Sequence, residues 1–121
     1  MKSQERKVFI FDDNEELLEL CTLILEGLGC NIKTSATSNN IIEQVSGFMP
    51  DLIFMDNWLP DISGVEATQK LKANKELQHI PVIYFSANNN VSELAREAGA
   101  EDYLSKPFDI VDLENIVKKY A

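Results

Sequence analysis

One stretch constrains the fold more than any other: Leu52-Ile53-Phe54-Met55-Asp56, an apolar run that stops abruptly at a carboxylate. A continuous apolar run of this length, opened by Pro50-Asp51 and closed by Asp56 and then Pro60, reads as a strand buried on both faces. Such strands lie inside parallel sheets. In an open α/β sheet the carboxyl ends of the strands form the crevice where ligands bind, so the residue ending a buried strand sits at that crevice. Alone, Asp56 is explained as well by a turn start as by a site, because Asp commonly opens turns. The other runs decide between these.

Lys7-Val8-Phe9-Ile10-Phe11 is a second short run of β formers, and it too ends at carboxylates, Asp12-Asp13. Ile80-Pro81-Val82-Ile83-Tyr84-Phe85 is another, with its proline near the start where a missing donor is tolerated, and it ends at Ser86. Asp102-Tyr103-Leu104-Ser105 is a short last strand that ends at Lys106-Pro107, and Cys30 to Ser35 alternates as an edge-like strand does.

Helical spacing fills the intervals. Leu17, Leu18, Cys21, Ile24, Leu25 and Leu28 recur on one face after a cap at Asp13 or Asn14, and Gly29 suits a left-handed position past the end. Ser38 or Asn39 opens a helix carrying Ile41, Ile42 and Val45 that stops around Gly47. Ser63 caps a helix through Val65, Thr68 and Leu71; Val91, Leu94, Ala95 and Ala98 form one ending at Gly99. Ile110, Leu113, Ile116, Val117 and Tyr120 form the last, with Asp109 at its positive end.

Five strand patterns alternating with five helix patterns predict an α/β chain with a parallel sheet, right-handed crossovers and helices on both faces. Spacing does not fix the strand order. If the first, third, fourth and fifth strands are neighbours, Asp12, Asp13, Asp56, Ser86 and Lys106 all point into one crevice.

The totals bound the rest. A chain of 121 residues has room for one domain, residues 1–121, with one core. Eleven basic against twenty acidic residues give a net charge of −9, which disfavours nucleic acid and anionic membrane surfaces as partners. No apolar stretch reaches the roughly 20 residues that span a bilayer. Met1 to Lys7 precedes too short a run for a signal peptide, so a cytoplasmic location is expected. Cys21 and Cys30 lack metal or disulfide spacing and read as reduced structural thiols; His79 reads as a surface or packing residue.

Three carboxylates gathered within several ångströms repel one another, and the usual relief is proton uptake or a divalent cation. Hard oxygen ligands with spare water positions suit Mg²⁺, and no His or Cys cluster is present for zinc. A metal beside an acid, a hydroxyl and a lysine points to phosphoryl transfer, with Asp56 as nucleophile and Lys106 and Ser86 on the phosphoryl oxygens.

Over essentially its whole length the chain resembles the receiver domain of two-component response regulators. The residues that carry the resemblance are the acid pair Asp12-Asp13, then Asp56 followed by Pro60 and Gly64, then Ser86, and Tyr103 before Lys106-Pro107. It implies a flavodoxin-like, doubly wound (βα)5 domain with sheet order 2-1-3-4-5 and Asp56 as phosphoacceptor. It also implies Mg²⁺ on Asp13, Asp56 and the Trp58 backbone carbonyl, with Asp12 acting largely through water. Lys106 and Ser86 take the phosphoryl contacts, the Lys106-Pro107 bond is cis, and Ser86 and Tyr103 form the switch.

The partners so implied are a sensor histidine kinase or histidine phosphotransfer protein and a downstream protein target, reached through the face of the fourth helix, fifth strand and fifth helix. The expected state is a monomer or weak dimer, whether free-standing or part of a longer regulator or hybrid kinase. It is expected not to be an enzyme beyond catalysing its own phosphorylation and slow dephosphorylation.

Other readings make it a receiver-like binding module that works without phosphorylation, or an aspartyl-phosphate phosphatase. The phosphatase pattern is D-x-D after the first strand, whereas this strand ends Asp12-Asp13-Asn14. A nucleotide-binding flavodoxin-like protein needs a Gly-rich loop after the first strand, and none follows.

Overall fold

The computed structural model describes residues 5–121; Met1 to Gln4, part of the segment weighed above as a signal peptide, lie outside the described residues. Five strands and five helices alternate: β1 (Lys7–Phe11), α1 (Glu15–Glu26), β2 (Asn31–Ser35), α2 (Ile41–Phe48), β3 (Leu52–Asp56), α3 (Gly64–Lys72), β4 (Val82–Ser86), α4 (Val91–Ala98), β5 (Asp102–Ser105) and α5 (Ile110–Tyr120). All strand pairs are parallel, in the order β2-β1-β3-β4-β5. This is the doubly wound (βα)5 arrangement expected. The polypeptide reverses direction across the sheet between β1 and β3, and a crevice opens at such a switch point beyond the strand ends.

The unbroken apolar runs follow from helices covering both faces. Because successive strand side chains alternate, Phe9, Phe11, Ile53, Met55, Val82 and Tyr84 face one layer, packed with Ile41 and Val45 of α2, Ala67 and Leu71 of α3 and Val91 and Ala95 of α4. Val8, Ile10, Leu52, Phe54, Ile83 and Phe85 face the other, against Leu18, Cys21 and Leu25 of α1 and Leu113 and Val117 of α5. Each large apolar side chain so buried contributes about 1.5–3 kcal/mol. Every residue of β3 and β4 is buried, whereas β2 at the edge is mostly exposed.

Local signals set most ends. Asn14 caps α1, its side chain accepting from Leu17 N at 3.2 Å, and Ser63 caps α3, accepting from Glu66 N at 3.1 Å. Gly29 and Gly99 adopt left-handed φ values of 86° and 84° after α1 and α4, where a side chain would be strained.

Four expectations shift. Leu28 lies beyond α1, which ends at Glu26, and Cys30 precedes β2 rather than beginning it. Neither Ser38 nor Asn39 caps α2: left-handed Asn40 precedes it, and its last turn runs through Gly47 to Phe48. Ser38 instead turns inward, donating to Ile62 O at 2.8 Å and accepting from Ile62 N at 3.0 Å, so a buried hydroxyl ties the β2–α2 loop to the β3–α3 loop. That contact spans 24 residues, so the local pattern that suggested a cap carries no trace of it.

Cys21 and Cys30 are buried free thiols, and burial pushes the Cys21 pKa up to about 11, which keeps it protonated and inert. His79 is exposed before β4, away from the strand ends that form the crevice. Among the described residues no helix is long and apolar enough to cross a membrane.

Candidate functional site

The crevice is assembled from the last residue of β3 and the residues just past β1 and β5. Beyond β1, Asp12 N still donates to Ser35 O at 3.1 Å, and Asn14 N then turns back to Asp12 Oδ1 at 3.0 Å. This Asx turn buries the Asp12 carboxylate and leaves Asp13 exposed. Asp56, the last residue of β3, is 4% exposed. Beyond β5, Lys106 N donates to Ser86 O at 2.9 Å, extending the β4–β5 ladder so that the lysine side chain starts beside the end of β4. The Lys106-Pro107 peptide bond is cis.

Lys106 joins the two buried acids. Its Nζ lies 2.6 Å from Asp12 Oδ2 and 2.8 Å from Asp56 Oδ1, and 4.9 Å from the centre of the Phe85 ring. Asp13 completes the group, since Asp12, Asp13 and Asp56 each offer an oxygen within 4.8 Å of the others. At an effective dielectric of about 20, the two buried carboxylates alone repel by roughly 3 kcal/mol at such a separation.

The electrostatics follow from this crowding. Burial raises the pKa of Asp56 and the charge of Asp12 adds to the rise; the hydrogen bond from Lys106 and the Trp58 N–H, at 3.2 Å from Asp56 Oδ2, oppose it without cancelling it. For Lys106, burial disfavours the charged form, but hydrogen bonds to Asp12 and Asp56 outweigh it and raise its pKa, so the ammonium persists.

Three carboxylates facing one ammonium fit a further cation. The donor set consists of hard oxygens, with one partner exposed to water, which matches magnesium rather than a soft metal.

The remaining predicted residues stand around this group rather than in it. Ser86 is buried at the end of β4, where its Oγ accepts from Asn88 N at 3.1 Å and makes no hydrogen bond to Asp56 or Lys106. Tyr103 lies on β5, 43% exposed, in register with Tyr84 of β4. The Trp58 indole is 69% exposed, and the residue meets the site through its backbone.

Asn57 and Tyr84 went unnoticed in the sequence, yet the Tyr84 hydroxyl donates to Asn57 Oδ1 just below the acceptor. The available signal was a phenol inside an otherwise apolar strand, which must find a polar partner when buried. Gly64 was noticed only as part of a motif. A Cβ there would lie 2.1 Å from the Asp56 carbonyl oxygen and 3.0 Å from Tyr84 Cε1, so the close seat of α3 on the acceptor peptide requires glycine.

The sequence profile of the response regulator receiver domain matches residues 8–118. The polar-differentiation response regulator DivK of Brucella ovis is 34% identical over 117 residues, covering 95% of each chain. Among solved structures, a CheY-like response regulator receiver domain from Methylobacillus flagellatus superposes with a TM-score of 0.85 at 27% identity, covering 98% of this chain and all of the other. The receiver domain of the sensor histidine kinase PA1611 from Pseudomonas aeruginosa PAO1, with a magnesium ion coordinated in its active site cleft, superposes at 0.88 with 26% identity, covering 97% and 98%.

Proposed function

This chain belongs to the response regulator receiver domain family, and on that footing we propose that it accepts a phosphoryl group on Asp56 and passes the signal to a downstream protein. The observation that carries this is the Lys106 ammonium bridging Asp12 and Asp56 with an oxygen of Asp13 alongside. The donor is the phosphohistidine of a sensor histidine kinase or histidine phosphotransfer protein.

An Asp56 carboxylate oxygen forms the new P–O bond as the P–N bond to the donor imidazole breaks, the electron pair leaving on that nitrogen. Asp13, Asp56 and the Trp58 carbonyl, with Asp12 largely through water, would hold Mg²⁺, which would supply positive charge against the phosphoryl oxygens. The magnesium-bearing neighbour in PA1611 supports that assignment. Lys106, already charged and held between the acids, pairs with a further phosphoryl oxygen, and the Ser86 hydroxyl leaves Asn88 N to hydrogen-bond another.

Movement of Ser86 opens space into which half-exposed Tyr103 turns, shifting a pre-existing equilibrium of the α4-β5-α5 face that the target reads. Water attack on phosphorus then breaks the P–O bond, restores the carboxylate and releases phosphate. The chain thus acts on itself alone, catalysing its own phosphorylation and slow dephosphorylation.

Incubation with radiolabelled acetyl phosphate tests this. Label reaching about one group per chain with Mg²⁺, and lost when EDTA replaces it, is the expected result; a chain that takes no label under either condition refutes the assignment.

The Trp58 indole is largely exposed two residues after the acceptor, where it would hinder the approach of water to a phosphorylated Asp56. Trp58→Ala is expected to shorten the lifetime of phosphorylated Asp56 roughly several-fold while costing less than about 0.5 kcal/mol, as trimming an exposed side chain does. The decay of label after donor removal measures it, and an unchanged rate at equal stability counts against the role.

A further inference from the structure

The acceptor loop is held from beneath by β4. Tyr84 lies in the middle of that strand, in register with Met55 of β3, its ring fully buried in the layer under α3 and α4. A hydroxyl buried among apolar side chains is destabilising unless it is hydrogen-bonded. Here it donates to Asn57 Oδ1. Burial lifts the phenol pKa well above its usual range, the Asp56 and Glu97 carboxylates add to the rise, and the Val65 N–H at the start of α3 offsets part of it, so the group stays a donor.

Asn57 is only 7% exposed and is the residue immediately after the acceptor. Its backbone carbonyl accepts from Gly64 N at 3.0 Å, so it is fixed through both main chain and side chain. The next peptide N–H, that of Trp58, is the one that reaches Asp56 Oδ2 at 3.2 Å. A continuous line of contacts therefore runs from Tyr84 through Asn57 to the acceptor carboxylate, and no atom of Tyr84 needs to touch the reacting groups.

We infer that Tyr84 is a positioning residue for phosphoryl transfer, fixing through Asn57 the Asn57-Trp58 peptide that aims the Asp56 carboxylate. This rests on the phosphoacceptor reading above. The physical reason is that transfer needs a near-attack geometry, and a rocking peptide loosens one of the two oxygens to be held.

Tyr84→Phe removes the hydroxyl and keeps the ring, and Asn57→Ala removes the same bond from the other side. Labelling by acetyl phosphate with Mg²⁺, followed across donor concentration, separates the maximal rate from the half-saturating concentration; urea midpoints are measured alongside. The maximal rate is expected to fall roughly tenfold in each variant, with half-saturation unchanged and the double variant no slower than either single one. A native maximal rate in Tyr84→Phe, falls that multiply in the double variant, or loss of folding in both singles would each overturn the inference. Failure of the unsubstituted chain to label would bring down the phosphoacceptor reading itself, and this inference with it.

Discussion

Asp56→Asn takes labelling by acetyl phosphate from about one phosphoryl group per chain to none. An amide oxygen is not a nucleophile toward phosphorus, and the other acids of the crevice are poorly placed to substitute. Asp12 is buried, with one oxygen on Lys106 and the other accepting from Asn14 N, while Asp13 is exposed and has no direct contact with Lys106. The substitution is expected to leave the fold intact. Folding raises the pKa of Asp56, so its ionised form destabilises the native state, increasingly as pH rises through the native pKa; the neutral amide removes that cost. A urea midpoint equal to or above that of the unsubstituted chain, together with absent label, is the result that fits. Stoichiometric label persisting on another residue would refute Asp56 as acceptor.

Gly64→Ala carries the largest expected loss of stability. The added methyl would sit 2.1 Å from the Asp56 carbonyl oxygen and 2.9 Å from its carbon, and both are backbone atoms of a strand buried along its whole length. Neither can rotate away as a side chain would, so α3 or the end of β3 must shift. Forced overpacking of this kind costs about 3 kcal/mol, a sizeable share of the 5–15 kcal/mol of a typical domain, and lowers Tm by roughly 10–15 °C at this size. Calorimetry or urea unfolding measures it. The phosphorylation rate below the midpoint is expected to fall as well, since the displaced peptide carries the acceptor. An unchanged Tm would mean that α3 does not rest on the Asp56 peptide as described.

The strands were legible because burial on both faces leaves a signature that needs no partner to be seen. Leu52 to Met55 and Val82 to Phe85 are apolar at every position, and such runs fit only the middle of a helix-covered sheet. Asn14, Ser63, Gly29 and Gly99 were legible for the same reason: a cap or a left-handed turn is satisfied within a few residues. Ser38 looked like another cap because its residue type favours that role, but its hydroxyl is consumed by Ile62 in a different loop. Tyr84 looked like one more core residue because its ring is one; only the partner of its hydroxyl sets it apart.

By itself, then, the sequence determined which segments are buried strands, where they stop, and that each stop on β1, β3, β4 and β5 meets a carboxylate, a hydroxyl or a lysine. Periodicity and capping are local, and local physics writes them into neighbouring residues. The tertiary structure alone decided that these ends share a crevice. Lys106 reaches Asp12 across 94 residues and Asp56 across 50, and those contacts exist only because β1 and β3 pair at the centre with β4 and β5 beyond them. Strand order comes from how the two helical layers cover the sheet, and no short stretch of chain encodes that choice.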